Sequence, residues 1–543
     1  SSPEVPEEID PMFKQKEFTP EQLDKVFPTY PAHARILSID EPLLHISRKS
    51  RLAPGPFHGV IAPPTTFPAT LTSSQDHLGR DPLLEAYKRQ TVIPLDIDDV
   101  SPKVLFESAV STLTYVPKYQ NGLTRTLTPH EAVLGMHALS PMKLNASAGE
   151  PYNSLAIKMG KQASKASWIQ IPQANMVDFH PKILEDLDSV MGLLKNGIVP
   201  FWYVTDQLKD ETVALTKIDA CKTRLYFTAD ILHVLVARML FGALISALED
   251  GRLKAVGLSS CAVGMSTEDV AVRAMFREMN DPDKQIYAMD QKGFDNHQKW
   301  AVGKYLARAI NAWYGESDEL SLARYTFLKS CYHCVHRVGT VLYQVEDGMP
   351  SGISITAQLN SLYLETVTTA SIHLWSKTRK SADGESLPSL SIKRIKDLTF
   401  AFYYGDDSWI SLPKHLGIKS VDFFRFYTKF GLEATHCVKD FDVMSEIPVH
   451  LTSFLKRIPV MNESNELVFR KDLDDIHDIF SWIKKKFSGN WEVINSITKS
   501  ALFEYRKFGI PTFEKYLLVI IDAYSSYGVS FTMSRNHRDY LVI

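Results

Sequence analysis

Three aspartates in this chain are spaced as a cation-dependent reaction at phosphorus requires. Asp406 and Asp407 stand side by side in "AFYYGDDSWISL" (401–412), between two apolar, aromatic-rich runs that read as the strands of a hairpin. A Gly-Asp pair suits a turn for backbone reasons alone, since Gly405 tolerates positive φ and Asp favours turns. The second carboxylate is what a turn does not need, because adjacent anions repel unless solvent or a cation relieves them. Asp290 supplies a third, ending the apolar run in "AMDQKGFDN" (288–296), with Asp295 five residues later. Two divalent ions acting on one phosphate lie roughly 3.5–4 Å apart and need carboxylates from separate strands. Asp290 and Asp406 meet that requirement if their strands are neighbours.

A second group lies in "EDGMPSGISITAQLNSLYLE" (346–365), where a Gly-rich turn from Gly348 to Gly352 runs into a helix. Backbone donors of such a turn can approach a phosphate or ribose closely, and Thr356 and Asn360, four residues apart, share a helix face. Ordinary capping by Ser351 or Ser354 over a packed apolar face explains the same residues.

These residues must be held by elements, and the texture of the chain supplies them. Between 285 and 412 we read the strand "QIYAMD", a helix over about 297–314, the strand-like "HRVGTVLYQVED" (336–347), a helix over about 354–374 and the "LTFAFYY" hairpin. That βαβ-like order closed by a hairpin predicts an α/β unit with an antiparallel sheet. The polar, basic "SKTRKSADGESLPSLSIKRIKD" (376–397) reads as an exposed excursion. Helical patterns dominate from about 80 to 280, including "DILHVLVARMLFGALISALEDG" (230–251) with its Gly stop, and return after 420 in "DIHDIFSWIKKKF" and "FEKYLLVIIDAYSSY". The first 75 residues are rich in Pro, as in "LAPGPFHGVIAPPTTFPATLTSS" (52–74), and predict an extended segment lying over a surface.

At 543 residues the chain suits roughly three to four domain-sized units or one large enzyme with subdomains. Charge is balanced, 60 Lys+Arg against 63 Asp+Glu, so a nucleic-acid partner would need a local basic channel. Five cysteines make no disulfide framework and suit a reducing compartment, with the cytosol as default. One CxxC, in "CYHCVHR" (331–337), is weak as a zinc site, and we assign Cys331, His333, Cys334 and His336 to a strand. The acidic, polar start carries no secretory signal pattern, and the apolar run at 231–248, interrupted by His233 and Arg238, reads as a buried helix rather than a membrane span.

Taken in order, these segments resemble motifs A, B and C of viral RNA-dependent RNA polymerases of the picornavirus-like supergroup. "ASAGEPYN" (146–153) resembles motif G, "CKTRLYF" (221–227) motif F, "GLEATHCVKD" (431–440) motif D and "FLKR" (454–457) motif E. The resemblance covers about 146–457. Gln291 and Lys292, where relatives carry an aromatic or small residue, and the long 376–397 insertion also suit small double-stranded RNA virus polymerases, such as those of picobirnaviruses or partitiviruses.

The resemblance implies an α/β (α+β) closed right hand: an extended strap over 1–75, fingers over 76–284, a palm built on an antiparallel sheet over 285–457, and a thumb and tail over 458–543. It implies Asp290 and Asp406 as principal ligands of Mg²⁺, with Asp407 secondary and Mn²⁺ able to substitute. Lys222 and Arg224 would face the triphosphate. Asp295, Ser351, Thr356 and Asn360 would sense the ribose, whose 2′-hydroxyl needs polar partners of both kinds. Lys439 would protonate the leaving pyrophosphate, Lys456 and Arg457 would hold the primer strand, and Ser147, Gly149 and Pro151 would guide the template. Expected partners are a single-stranded RNA template, the nascent strand, ribonucleoside triphosphates, and viral replication or capsid proteins. The expected location is host cytoplasm, in a replication complex or inside the virion. A reverse transcriptase shares the palm but lacks the Ser-Gly…Thr…Asn helix. A catalytically dead RNA-binding palm would have lost an acidic ligand.

Overall fold

The structure is a computed structural model, and it describes residues 34–39, 49–120, 122–250, 259–267 and 270–540. Readings that fall on 1–33, 40–48 and the Gly251 helix stop lie outside the described residues. A central strand of the sheet that carries Asp290 and Asp407 is Lys284–Gln291, whose Ile286, Tyr287, Ala288 and Met289 are all buried. Such a run reads as continuously apolar because both faces are covered. Alternate side chains go opposite ways: Ile286 and Ala288 join Phe402, Trp409, Phe454 and Phe469, while Tyr287 and Met289 join the main core. The sheet is antiparallel throughout, in the order Phe400–Tyr404, Asp407–Pro413, Lys284–Gln291, Ala434–His436. Behind it runs the long helix Thr356–Ser376, buried almost all round and bonded to the Ser420–Lys429 helix through the Thr368 and Tyr427 hydroxyls, 2.8 Å apart.

The "HRVGTVLYQVED" run differs from the sequence reading. It is a hairpin, Val335–Val338 and Val341–Val345, turned at Gly339 with φ +56°, and it belongs to another sheet. That five-stranded sheet has the order Ala34–Ile39, Val341–Val345, Val335–Val338, Val204–Leu208, Leu225–Thr228. Its partners come from more than a hundred residues away in the chain, which local pattern does not specify. The strands Val204–Leu208, Thr212–Ala214 and Leu225–Thr228 also interrupt the region expected to be mainly helical. Cys331 ends the Asp318–Tyr332 helix instead of lying in a strand, Cys334 follows it, and only His336 is on a strand. His336 Nδ1 is 2.8 Å from Asp206, so the imidazole is committed to a carboxylate rather than a metal.

Leu52–Pro54 pairs with Trp482–Lys484, Phe57 packs beside Phe480 and Tyr524 in the C-terminal helical cluster, and Thr66–Pro68 pairs with Thr212–Ala214. The Pro-rich segment therefore spans from the C-terminal cluster to the Thr212–Ala214 strand. That pairing overrides the helical pattern expected over 475–487, which breaks after Leu473–His477 into 3₁₀ turns and the Trp482–Lys484 strand. The excursion after Ser376 is exposed over 382–389, but its end forms the Ile392–Leu398 helix with Ile392 and Ile395 buried. The apolar helix Ile231–Glu249 is long and apolar enough to cross a membrane by length and composition, yet 89% of its apolar window is buried in the protein. Its Arg238 is satisfied within the fold, donating to the carbonyls of Ala132 and Ser140 at 2.6 and 2.5 Å.

Candidate active site

Register brings the carboxylates together. Asp407 pairs directly with Asp290 across the two central strands, while Asp406 occupies the turn with Gly405 at φ +58°. The Gly405 amide donates to Ser361 Oγ at 2.9 Å, and Ser361 donates in turn to the Ala357 carbonyl at 2.6 Å, so the long helix holds the turn in place. Asp407 Oδ2 accepts the Leu455 amide at 2.7 Å. Burial, reinforced by the charge of Asp406, pushes Asp290 up to about 6. Burial drives Asp407 up to about 8, with Asp290 and Asp406 adding repulsion against the pull of the Leu455 amide. Asp406 is raised by burial as well.

Carboxylates crowded together and partly screened from water by the protein around them fit a divalent cation, which supplies the missing charge, and Asp290 and Asp406 are exposed to receive one. Among the described residues no three His, Cys, Asp or Glu side chains converge closely enough to cage an ion alone. Mg²⁺ is commonly held by one or two carboxylates plus substrate phosphates, so Asp290, Asp406 and Asp407 suit a site completed by the nucleotide.

Beside the carboxylates, Asn360 Nδ2 donates to Asp295 Oδ1 at 2.5 Å. Burial, then the charge of Asp406, raises Asp295 to about 7. The Gly-rich turn is stapled to the segment after Asp290 by two backbone bonds, Gly348 to the Gln298 carbonyl at 2.8 Å and Met349 to the Asp295 carbonyl at 2.7 Å. Gly352, at φ +105°, passes so close to Phe227 that a Cβ would lie 2.5 Å from its carbonyl oxygen, which leaves no room for a side chain. These groups open on a cavity of about 1040 Å³ whose walls include Arg51, Arg224, Asp295, Ser351, Asn360 and Asp406. Arg224 is set on its wall by Glu211, which accepts from Nε and Nη2 at 2.6 Å each.

The family model for viral RNA-dependent RNA polymerase matches residues 63–533. This chain belongs to that family. The polymerase is 26% identical over 452 residues to the genome polyprotein of human rhinovirus C (strain C15), covering 82% of this chain and 18% of that protein. It is 23% identical over 465 residues to that of rice tungro spherical virus (strain A), covering 80% and 13%. The chain thus spans under a fifth of the length of these curated relatives. Among solved structures it matches the Sicinivirus 3Dpol RNA dependent RNA polymerase with a TM-score of 0.72 at 20% identity, covering 92% of this chain and 96% of that one. The fold is therefore the closed right hand of a picornavirus-like RNA polymerase, with the catalytic sheet as its palm.

Within the polymerase, Asp290, Asp406, Asp407, Asp295 and Asn360 converge, and Ser351 and Arg224 join them at the cavity. Thr356 turns its hydroxyl to the Pro350 carbonyl at 3.0 Å, and neither Ser351 nor Ser354 caps the helix, whose cap position is Ile355. Lys222, Lys439 and Lys456 are exposed. Arg457, expected to hold the primer strand, is engaged by the fold: Glu504 accepts from its Nη1 and Nη2 at 2.9 and 2.6 Å, and the Phe469 carbonyl from Nη1 at 3.2 Å. Ser147 is exposed and its Oγ accepts the Gly149 amide at 3.2 Å, while Pro151 starts the Tyr152–Lys158 helix. At Gly149 a Cβ would meet the Ala229 carbonyl at 2.6 Å.

Sequence reading missed Ser361, Gln298 and Lys217. Burial and then the cations Arg224, Lys456 and Lys439 hold Lys217 below the usual lysine range, so these four cations share one neighbourhood. Ser361 and Gln298 carried a faint signal, as polar residues at positions where their elements turn inward.

Proposed function

We propose that this polymerase performs template-directed RNA synthesis by two-metal nucleotidyl transfer from ribonucleoside triphosphates to an RNA 3′-hydroxyl. The observation that carries the reading is the direct pairing of Asp407 with Asp290 across neighbouring strands, next to Asp406, which stands in the turn and on the cavity wall. Asp290 and Asp406 would hold Mg²⁺, or Mn²⁺ in its place, with Asp407 assisting. Bound there, the ions would activate the attacking hydroxyl and neutralise charge on the phosphate.

The chain's own residues do the rest. Arg224, oriented by Glu211, presents a planar donor array to the triphosphate, and Lys217 and Lys222 add positive charge nearby. Asp295 and Asn360 read the ribose. Lys439 gives a proton to the departing pyrophosphate, and Lys456 meets the primer backbone. Ser147, Gly149 and Pro151 border the template path. Template, nascent strand and ribonucleotides are the partners, with viral replication or capsid proteins beyond them, in host cytoplasm or the virion. The viral polyprotein relatives support a viral RNA polymerase.

The test is incubation with single-stranded RNA, four ribonucleotides and Mg²⁺, with and without primer. Labelled product of template length supports the reading, and its end chemistry reports the mode of initiation. No product under any condition, from folded protein, would refute it.

A further inference from the structure

Asn360 is held from behind by a side chain that does not line the nucleotide cavity. Gln298 is fully buried, and its Nε2 donates to Asn360 Oδ1 at 2.7 Å. Its Oε1 in turn accepts the Tyr332 hydroxyl at 3.1 Å. Room for that hydroxyl is made by Gly303 on the Trp300–Tyr314 helix, where a Cβ would sit 2.6 Å from Tyr332 Cζ and 2.9 Å from its oxygen. Gln298 itself cannot drift, because its carbonyl accepts the Gly348 amide at 2.8 Å. Four side chains thus form one line, Tyr332, Gln298, Asn360 and Asp295, buried at the first three and reaching the cavity at Asp295.

The line has a direction. Asn360 turns its NH₂ to Asp295 Oδ1, which accepts. The Asn360 carbonyl oxygen then faces backwards and needs a donor, which Gln298 provides only with its own NH₂. That leaves the Gln298 oxygen towards Tyr332, which donates. An amide is nearly symmetric in shape, so without such a partner little prevents it from turning over.

We infer that Gln298 is a positioning residue for sugar selection, holding the Asn360 amide with its NH₂ towards Asp295 and its second amide hydrogen available to the ribose. The inference rests on the reading of Asp295 and Asn360 as the ribose sensors. Gln298 acts without touching the nucleotide. Losing it strands a buried carbonyl and frees the amide to rotate, which penalises the sugar that needs the bond and spares the one that does not.

The experiment compares kcat/KM for a ribonucleotide and its 2′-deoxy analogue in primer extension by the parent, Gln298→Leu, Tyr332→Phe and Asn360→Ala, with thermal melting of each. Gln298→Leu is expected to narrow the ribose preference about tenfold, through loss on the ribonucleotide side, the scale of one buried hydrogen bond. Tyr332→Phe, which removes one hydroxyl and keeps the ring, should narrow it about two- to threefold. If Asn360→Ala narrows the ratio while Gln298→Leu and Tyr332→Phe leave it at the parent value, or lower both sugars equally, the positioning role is overturned and the ribose sensors stand. If Asn360→Ala itself leaves the ratio unchanged, the sensing assignment fails and the inference with it. Should Gln298→Leu not fold, the Tyr332→Phe ratio decides alone.

Discussion

At the residue scale the three carboxylates are not equivalent. Asp406 sits in the turn, whereas Asp407 already spends one oxygen on the Leu455 amide. Asp290→Ala or Asp406→Ala should reduce nucleotide incorporation to background with an unchanged circular-dichroism melt, since each removes a charge the fold does not need. Asp407→Asn keeps an oxygen for Leu455 and should lose only about 10–100-fold, as for a residue that orients a metal site more than it fills it. Measurable elongation by Asp406→Ala at ordinary Mg²⁺ would refute the assignment. Lys439 is exposed, and the role proposed for it, general acid to the departing pyrophosphate, acts in the transition state. Lys439→Leu should therefore slow single-turnover incorporation by about 10²–10⁴-fold while nucleotide affinity stays near the parent value. An unchanged single-turnover rate would leave Lys439 a surface lysine.

At the scale of elements, the long helix serves two neighbours through adjacent residues. Asn360 reaches Asp295, and Ser361 accepts from the Gly405 amide. Ser361→Ala should lower kcat about tenfold, the worth of one hydrogen bond on a catalytic turn, without altering the preference for ribose. A shift in sugar preference equal to that of Asn360→Ala would show that the two roles are not separate.

The five-stranded sheet has its own buried junction, where Asp206 meets His336 and accepts from the hydroxyls of Tyr87 and Tyr343. Burial alone would depress His336, but the Asp206 carboxylate, helped by Cys334, outweighs it and lifts the imidazole to about 10 from 6.5. A group raised in the folded state stabilises fully below its unfolded value and loses that contribution as pH rises through its folded value. The melting temperature should accordingly fall between about pH 7 and 10 in the parent. His336→Phe, which leaves Asp206 buried without its imidazole partner, should be destabilised by about 3–5 kcal/mol at pH 7 with a flatter profile over the same range. Parallel profiles in the two proteins would dissociate His336 from the effect.

For the molecule as a whole, the Pro-rich segment connects parts that are far apart in the fold. Phe57 is 2% exposed among Phe480, Trp491, Tyr524 and Tyr527, and the strands on either side of it pair with Trp482–Lys484 and Thr212–Ala214. A low-entropy extended chain suits this role, since it covers surface without having to fold alone. Phe57→Ala removes a buried ring and should cost about 3–5 kcal/mol locally. It should also shorten products per binding event by loosening the closure of the hand, read as product length against a heparin trap. Unchanged stability and product length would mean the segment is only a cover.

Local pattern was enough for the catalytic strand, the Gly-Asp-Asp turn and the helix bearing Asn360, because each has a short-range signature: a continuous apolar run, a glycine at a positive φ, a long apolar pattern after a glycine turn. The motif order then pointed to the family. Pairing between distant segments was not legible, since hydrogen-bonding edges carry no address in sequence. Hence the 335–345 hairpin joined the five-stranded sheet, apart from the sheet of Asp290 and Asp407, and residues 482–484 became a strand because the Pro-rich segment lies beside them. Charge choice was equally hidden: Arg457 looked free for RNA until Glu504, 47 residues on, took its guanidinium. The same holds for Gln298, whose role exists only because three elements bring Tyr332, Asn360 and Gly348 around it. Residue type and spacing determined which chemistry this chain can do; tertiary packing decided how its polar groups are aimed and how many donors and acceptors each has left for it, because a hydrogen bond made inside the fold both orients a side chain and uses up part of its capacity.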